Sequence, residues 1–287
     1  MRELNGRVAI LTGASRGLGV DVAKALAKEG IDLVLAARSQ GELERVAEEI
    51  RATGRRALAV PCDVSVAEDR QRLVAATLAE FGKCDILVNN AGIEMSGFYE
   101  QEPEEEIAKI IDVNLTSAML LTRAILPHML ERKTGHIVNM ASLAGKVPMP
   151  YSVPYSASKA GMIAFTEGIR NEFKKRGVSA SAICPGFVSD AGMYADWERE
   201  IGVKAGMLAK PVTPTKVANN VVKAIQKDRP EMLVFWMPGR STTALAEMMP
   251  GNFERVFPVF GSFTFFRKVA EHREKREQAA AREAEKV

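Results

Sequence analysis

The chain has 287 residues, of which 47% are hydrophobic and 26% charged, with a formal net charge of +3. This balance is typical of a soluble globular protein, and the charge is too small to indicate a nucleic-acid partner. The N-terminus leads at once into an apolar strand, and the most apolar run, LTSAMLLTRAILPHML, is interrupted by Arg123 and Pro127. We therefore expect neither a signal peptide nor a membrane span, and a cytoplasmic location.

Short apolar runs alternate along the chain with longer segments of helical spacing. The predicted strands are RVAILTG, DLVLAAR, ALAVPCD, DILVNNA, HIVNMAS, SASAICP and MLVFW. The predicted helices cover residues 19–29, 42–52, 67–81, 104–131, 157–176 and 214–227. Apolar strands separated by amphipathic helices indicate parallel strands covered on both faces. The fold class is therefore α/β, a Rossmann-type doubly wound parallel sheet of about seven strands.

The composition changes near Pro238, which divides the chain into two parts. Residues 1–240 are predicted to form one α/β domain without an internal linker, and residues 241–287 are predicted to form a C-terminal extension. The extension begins with a segment rich in Phe and Met. From Arg267 onward it is charged and alanine-rich, which predicts a solvated helix or a frayed tail.

A glycine-rich turn, TGASRGLG at residues 12–19, lies between the first strand and the first helix. Gly13, Gly17 and Gly19 permit a tight turn and a close approach of the backbone to a pyrophosphate. The free N–H groups and partial positive charge of a helix N-terminus favour such an anion. The strand–turn–helix context favours a dinucleotide site over a purely structural turn.

The end of the second strand indicates which dinucleotide binds. A site that prefers NAD usually has an acid there for the ribose 2′-hydroxyl. This chain instead has Ala37 and Arg38, and Arg16 lies in the glycine turn. Two guanidinium groups suit a 2′-phosphate, so NADP(H) is preferred to NAD(H); the alternative is two solvated surface arginines.

The segment YSVPYSASK, residues 151–159, contains two tyrosines and one lysine. Tyr155 and Lys159 are four residues apart and so share one helix face. Pro154 is tolerated only in a first helical turn, which leaves Tyr151 in the preceding loop. We therefore expect Lys159 to serve Tyr155 and to lower its pKa toward the working pH.

These motifs, in this order, resemble the short-chain dehydrogenase/reductase family over about residues 5–237. Besides the glycine turn, the resemblance rests on CDV at 62, NNAG at 89, Asn114, Ser142, YSASK at 155 and PG at 185. It implies that Tyr155 exchanges a proton with the substrate oxygen and that Ser142 hydrogen-bonds the same atom. It also implies that Lys159 holds the nicotinamide ribose and that Asn114 anchors a water; the alternative for Asn114 is a bond to backbone.

The resemblance further implies a set of residues that bind the cofactor. Asp63 and Val64 would lie at the adenine, and Pro185 and Gly186 near the nicotinamide carboxamide. After PG this chain has no threonine, so either Ser189 or backbone groups would make the carboxamide contact. The full set is Gly13, Ser15, Arg16, Gly17, Leu18, Gly19, Arg38, Asp63, Val64, Asn90, Ala91, Gly92, Tyr155, Lys159, Pro185, Gly186 and Val188.

The substrate pocket is predicted to be mostly apolar. The resemblance implies that residues 189–210 form a mobile lid over it. Tyr151 either forms part of its wall or packs the loop before the helix. The candidate wall residues are Leu143, Val147, Met149, Tyr151, Phe187, Met193, Tyr194, Trp197 and Met207.

Six of the twelve phenylalanines lie between Phe253 and Phe266 in the C-terminal extension. Three interpretations are open for this segment: it covers the core or a subunit interface, it extends the pocket for a long acyl or sterol substrate, or residues 253–268 contact a membrane surface.

The leading hypothesis for function is an NADP(H)-dependent carbonyl reductase or alcohol dehydrogenase, with 3-oxoacyl and steroid substrates both open. The competing hypothesis is a sensor that binds NADP(H) without turnover, which has no need of Asn114, Ser142, Tyr155 and Lys159 together. A homodimer or homotetramer is expected from the family resemblance. Cys62, Cys84 and Cys184 are expected to be buried free thiols, and no metal site is expected.

Overall fold

A computed structural model describes residues 1, 3–190, 192–202, 204, 210–236 and 262–284 of the chain. These residues form a seven-stranded parallel sheet with the strand order β3-β2-β1-β4-β5-β6-β7. The strands are β1 Val8–Thr12, β2 Asp32–Ala37, β3 Ala57–Pro61, β4 Ile86–Asn89, β5 Gly135–Met140, β6 Val178–Pro185 and β7 Glu231–Val234. The predicted α/β class, the parallel sheet and all seven strands are confirmed.

Helices cover both faces of this sheet, as the continuous apolar strands require. They are α1 Leu18–Lys28, α2 Gln40–Arg51, α3 Ala67–Phe81, α4 Glu104–Ile111, α5 Ser117–Glu131, α6 Val153–Phe173, α7 Met193–Ile201, α8 Pro214–Lys227 and α9 Ser262–Ala284. Two separate apolar cores lie against the two faces, one containing Leu26, Leu43 and Val221 and the other Leu73 and Ile125. The boundaries of α3 and α8 are those predicted, and α6 begins four residues early because Pro154 sits in its first turn.

The predicted helix 104–131 is continuous but contains a π-helical segment, Asp112–Thr116. By length and composition this helix is apolar enough to cross a membrane, contrary to our expectation from the sequence. Its buried stripe, which includes Ala118, Leu121 and Ile125, packs into the protein core. A core helix of a soluble fold has the same composition, and we interpret the segment in that way.

The C-terminal helix α9 packs onto the domain instead of extending freely into solvent. Phe265, Phe266 and Val269 are buried in a cluster with Tyr194 of α7 and Met149. The later turns of α9 are exposed, as the predicted solvated helix requires. Residues 237–261, including Phe253, Phe257 and Phe260, lie outside the described residues.

The three cysteines are buried free thiols, as predicted. Burial raises the pKa of the Cys62 thiol to about 11 and that of the Cys84 thiol to about 12. Thiols that remain protonated are poor nucleophiles, which assigns Cys62 and Cys84 to packing.

Candidate active site

A cavity of about 1730 Å³ runs across the carboxyl ends of the strands. The strand order changes direction between β1 and β4, and ligands of open α/β sheets bind at such a point. The cavity is polar at the glycine-turn end and apolar at the end lined by Val147, Met149 and Trp197. The cavity therefore suits one elongated ligand with a polar and an apolar end, or two ligands placed end to end.

The glycine turn has the shape that a bound pyrophosphate requires. Gly13 and Gly17 adopt φ values of +65° and +56°, in the left-handed region that favours glycine. A Cβ on Gly19 would lie 2.0 Å from the Gly13 carbonyl oxygen, so only glycine fits there. No side chain caps the N-terminus of α1, whose Leu18 and Gly19 line the cavity. These features fit an anion at the helix N-terminus.

Thr12, which the sequence argument did not single out, fixes the position of the NNAG segment. Its hydroxyl oxygen accepts hydrogen bonds from the N–H groups of Asn90 and Ala91, both at 3.0 Å. The Asn90 side chain in turn donates to the carbonyl oxygens of Thr12 and Gly13. This network joins the ends of β1 and β4 and forms the cavity floor. A polar residue ending a buried strand is the signal that would have identified Thr12.

The end of the cavity opposite its apolar wall carries several charged groups. Arg16 and Arg38 are both exposed and both line it, as predicted. Asp63 accepts hydrogen bonds from the backbone N–H and the hydroxyl of Ser65. Partial burial raises the pKa of Asp63, but these hydrogen bonds and the charge of Arg38 lower it overall. The carboxylate is therefore ionised and held by Ser65.

Two further charged residues at this end were missed by the sequence argument. Glu42 and Arg45 of α2 also line the cavity. Arg45 pairs with Glu49 at 2.5 Å, one turn further along α2. The sequence predicted α2 only as a helix and did not indicate which of its residues would face the cavity. The packing of α2 on β2 places Glu42 and Arg45 at the same end as Arg38.

At the opposite end, Ser142, Tyr155 and Lys159 meet in the cavity wall. Ser142 follows β5, and its hydroxyl oxygen accepts a hydrogen bond from the Ala144 N–H at 3.1 Å. Tyr155 is 8% exposed, and the Ser142 side chain acts to lower its pKa. Lys159, one turn along α6, donates from Nζ to the Met140 carbonyl oxygen at 2.9 Å. Its Nζ lies 5.5 Å from the centre of the Tyr155 ring.

The electrostatics of this group correct one expectation. Lys159 was expected to lower the pKa of Tyr155, but that pKa is raised. Burial is the main cause and the negative charge of Glu94 adds to it, while the hydrogen bond with Ser142 acts in the opposite direction. Burial also lowers the pKa of Lys159 to about 8, against the charge of Glu94. Desolvation therefore outweighs the pairing that the i, i+4 spacing indicated.

Asn114 lies behind the cavity wall and does not line it. It is fully buried in the π-helical segment, where its side-chain oxygen accepts from the Ile93 N–H at 2.8 Å. Its side-chain nitrogen donates to the Ile93 carbonyl oxygen and to the Ser158 hydroxyl. Both amide N–H bonds are thus occupied by the protein. Asn114 thus fixes the segment that follows NNAG against α6, in agreement with the alternative of a bond to backbone, and its role as the anchor of a water stays a prediction.

The predicted nicotinamide-side residues also lie in the cavity wall. Pro185 ends β6 there, and Gly186, Val188 and Asp190 follow it. The Ser189 backbone N–H donates to the Val212 carbonyl oxygen at 2.9 Å, and its hydroxyl faces the same oxygen. Of the two alternatives for the carboxamide contact, this arrangement favours backbone groups over the Ser189 hydroxyl.

The apolar wall contains most of the residues predicted for it. Tyr151 is the exception: its ring packs edge-on against Phe98, with centroids 5.6 Å apart, and is not part of the lining. Phe266 of α9 is an addition, since it reaches the cavity beside Trp197. Met207 lies outside the described residues. The confirmed lining residues are Leu143, Val147, Met149, Phe187, Met193, Tyr194 and Trp197.

The described part of the phenylalanine-rich segment covers the core and extends the pocket. Phe265 is 1% exposed and contacts Phe187, Tyr194 and Trp197. Phe266 is buried and lines the cavity. Neither ring faces solvent, so neither is available for insertion into a membrane surface.

The sheet order, the glycine turn and the Ser–Tyr–Lys group together define a nucleotide-binding oxidoreductase of the doubly wound α/β class. A profile of the short chain dehydrogenase family matches residues 7–202 of this chain. The chain belongs to that family and is an oxidoreductase that uses a nicotinamide cofactor.

Individual relatives agree with this assignment. The ketoacyl reductase HetN of Nostoc sp. (strain PCC 7120) is 42% identical over 280 residues, covering 96% of each chain. A variant of the actinorhodin polyketide ketoreductase, solved with NADPH, is 31% identical with a TM-score of 0.72, covering 82% of this chain and 98% of that one. A short-chain dehydrogenase/reductase from Burkholderia phymatum, solved with NAD, is 30% identical with a TM-score of 0.77, covering 87% and 96%.

Proposed function

We propose that this protein is an NADP(H)-dependent reductase of hydrophobic ketones, with 3-oxoacyl thioesters as the leading substrate class. The observation that carries the proposal is one continuous cavity. Tyr155 and Ser142 lie beside its apolar end, and the glycine turn with Arg16 and Arg38 lies at its other end. A carbonyl next to Tyr155 is thus within reach of a dinucleotide that lies along the turn.

When bound, the nicotinamide supplies a hydride to the substrate carbonyl carbon, or accepts one from the corresponding alcohol. Tyr155 donates its phenolic proton to the carbonyl oxygen as negative charge develops there. Ser142 donates a hydrogen bond to the same oxygen and fixes its position. Lys159, held by the Met140 carbonyl, presents a positive charge below the tyrosine ring and is placed to hold ribose hydroxyls.

The raised pKa of Tyr155 favours the reductive direction. Burial keeps the phenol protonated at neutral pH, which is the form that donates a proton to a carbonyl oxygen. Alcohol oxidation needs the phenolate instead, so its rate should increase with pH. The same chemistry therefore runs in both directions, with reduction preferred near neutrality.

The preference for NADP(H) rests on Arg16 and Arg38. Both are exposed at the adenine end, whereas the Asp63 carboxylate is occupied by Ser65. Glu42 lies at the same end, and its negative charge would repel a 2′-phosphate. Arg38→Ala should weaken NADPH binding about tenfold and leave NADH binding nearly unchanged, because only the 2′-phosphate loses a charged partner. Titration of both nucleotides measures this, and equal losses for both would contradict it.

Two observations support the proposed substrate class. The apolar end is lined by aromatic and aliphatic side chains and is extended by Phe266, which suits an acyl chain. The relative from Nostoc is named a ketoacyl reductase, and its similarity extends over almost the whole chain. Steroid ketones have the same polarity and are the second class to test.

The test is NADPH oxidation by the purified protein with a 3-oxoacyl thioester of short and of long chain, a ketosteroid and an aromatic diketone. Tyr155→Phe should reduce kcat by at least about a hundredfold, since a positioned acid contributes about that much, while NADPH affinity is retained. Tyr151→Phe is the matched control and should change kcat little. Tight NADPH binding without turnover of any ketone would favour the sensor hypothesis.

We also propose that the protein is a cytoplasmic homodimer or homotetramer. Met119 and Leu120 are adjacent exposed apolar side chains on α5, and burying them against a second copy of the chain would stabilise an oligomer. The mass of the purified protein in solution tests this directly.

A further inference from the structure

Glu94 places a carboxyl group in the cavity wall, and the mechanism above does not use it. It follows β4 in the sequence I-E-M-S-G and lines the cavity together with Tyr155 and Lys159. Its Oε1 accepts a hydrogen bond from the Ser152 hydroxyl at 2.7 Å. Within the described part of the chain, no hydrogen bond reaches its Oε2.

The surroundings of Glu94 are unfavourable for a charge without further partners. Burial raises its pKa to about 7, although the hydrogen bond from Ser152 and the charge of Lys159 both lower it. A carboxylate in such a position gains strongly from an additional hydrogen-bond donor. The hydrogen bond from Ser152, which precedes α6, explains the position of Oε1 and leaves Oε2 without a hydrogen-bond donor among the described residues.

Glu94 also acts electrostatically on Tyr155 and Lys159, with which it shares the cavity wall. Its negative charge contributes to the raised pKa of Tyr155 and opposes the lowering of the pKa of Lys159. The walls nearby are apolar, formed by side chains such as Val147 and Met149. A ketone whose oxygen meets Tyr155 therefore brings its neighbouring groups within reach of this carboxyl group.

We propose that Glu94 determines substrate specificity by accepting a hydrogen bond from an amide N–H or a hydroxyl group that the substrate carries near its reacting carbonyl. The proposal rests on the reductase function and narrows its substrates to hydrophobic ketones with a nearby neutral donor. A ketone without such a donor covers the carboxyl group and leaves its Oε2 without a hydrogen-bond donor, which disfavours binding of that ketone.

The test uses pairs of ketones that differ in one donor. The first pair is the N-acetylcysteamine thioester of a 3-oxo acid and its N-methyl analogue, which lacks the amide N–H. The second pair is an aromatic hydroxyketone and its methyl ether. For at least one pair, kcat/KM of the wild type should favour the donor-bearing member about tenfold or more, as expected for a hydrogen bond to a charged group.

Glu94→Met should abolish this preference by improving the donor-free member relative to its partner, and Glu94→Gln should retain part of it. Glu42→Met, which removes a carboxylate at the other end of the cavity, should leave the preference unchanged. The proposal is overturned if the wild type has no preference in either pair, or if Glu94→Met lowers kcat/KM equally for both members. The latter result would mean that Glu94 acts only through its electrostatic effect on Tyr155.

Binding of each ketone to the wild type and to the Glu94 variants is measured in parallel from the fluorescence of Trp197, which lines the cavity. If no ketone is turned over, the reductase function fails, but the dissociation constants still test Glu94. A donor preference in binding that Glu94→Met removes supports the proposal, and its absence overturns it. NADPH binding by the Met variant verifies that the fold is intact.

Discussion

Tyr155 illustrates how burial and charge compete at a single residue. Its sequence spacing from Lys159 indicated a lowered pKa, yet its pKa is raised because desolvation is the larger effect. The lysine is itself desolvated, and its Nζ donates to a carbonyl oxygen and not to the tyrosine. The two residues are neighbours as predicted, but their protonation states are set by the surrounding protein.

His136 on β5 provides a prediction for stability at the residue scale. It is buried, and its ring Nε2 lies 2.8 Å from the hydroxyl oxygen of Ser181. Ser181 donates its own proton to the Arg229 carbonyl oxygen, so the neutral His136 ring donates from Nε2. Burial lowers the pKa of His136 from 6.5 to about 3, with the charges of the N-terminus and Arg170 also lowering it and Asp228 opposing.

Between these two pKa values the unfolded chain binds a proton at His136 that the folded protein does not. Above pH 6.5 His136 is neutral in both states and does not change the free energy of unfolding. As the pH falls from 6.5 toward 3, that free energy should decrease. The slope from this residue is at most about 1.4 kcal/mol per pH unit. Urea unfolding at several pH values measures it. His136→Gln, which cannot be protonated, should have a smaller slope, and identical slopes would contradict the assignment.

At the scale of elements, the turn between β1 and α1 depends on the packing of glycines against backbone. Gly19 belongs to α1 but approaches the Gly13 carbonyl so closely that a Cβ has no room. Gly168 is also helical, in α6, and a Cβ there would have no neighbour within 4 Å. The two glycines therefore respond differently to the same substitution.

Gly19→Ala should displace the turn and weaken NADPH binding about tenfold or more, since 1.4 kcal/mol of lost interaction already has this effect. Gly168→Ala should leave NADPH binding unchanged and raise the free energy of unfolding by up to about 1 kcal/mol, through helix propensity alone. Isothermal titration with NADPH and thermal unfolding of both variants make the comparison. Unchanged NADPH affinity in Gly19→Ala would mean that the turn is not the pyrophosphate site.

At the scale of the whole molecule, α9 joins two sides of the cavity. Its phenylalanines pack against α7, while Arg273 pairs with Glu102 at 3.0 Å and with Glu106 at 3.2 Å, on the segment leading into α4. The Glu102 side chain is only 6% exposed, so this pair is shielded from solvent. The helix thus links the region following β4 to the predicted lid.

Arg273→Ala should loosen α9 and raise the KM for a long-chain ketone severalfold, because Phe266 loses its fixed position in the cavity wall. NADPH affinity should not change, because Glu102 and Glu106, the partners of Arg273 outside α9, do not line the cavity. Arg267→Ala, which removes an exposed pair with Glu271 within the same helix, is the control and should have no effect. Steady-state kinetics and the rate of limited proteolysis in α9 measure both. Equal behaviour of the two variants would exclude a fastening role for Arg273.

The sequence alone determined the parallel sheet, the glycine turn and the proximity of Tyr155 to Lys159. These features depend on local periodicity, on glycine conformation and on a four-residue helical spacing, all of which can be recognised in short segments. Every residue expected to contact the cofactor lines the cavity, because the carboxyl ends of parallel strands converge on one edge of the sheet.

Only the tertiary structure decided the rest. Contacts between residues distant in sequence place the carboxyl group of Glu94 in the cavity wall and Asn114 behind it. Such contacts also dock α9 on α7. The raised pKa of Tyr155 depends on burial, which no local pattern specifies. Packing between segments sets the solvation of each ionisable group, and solvation in turn sets its chemistry.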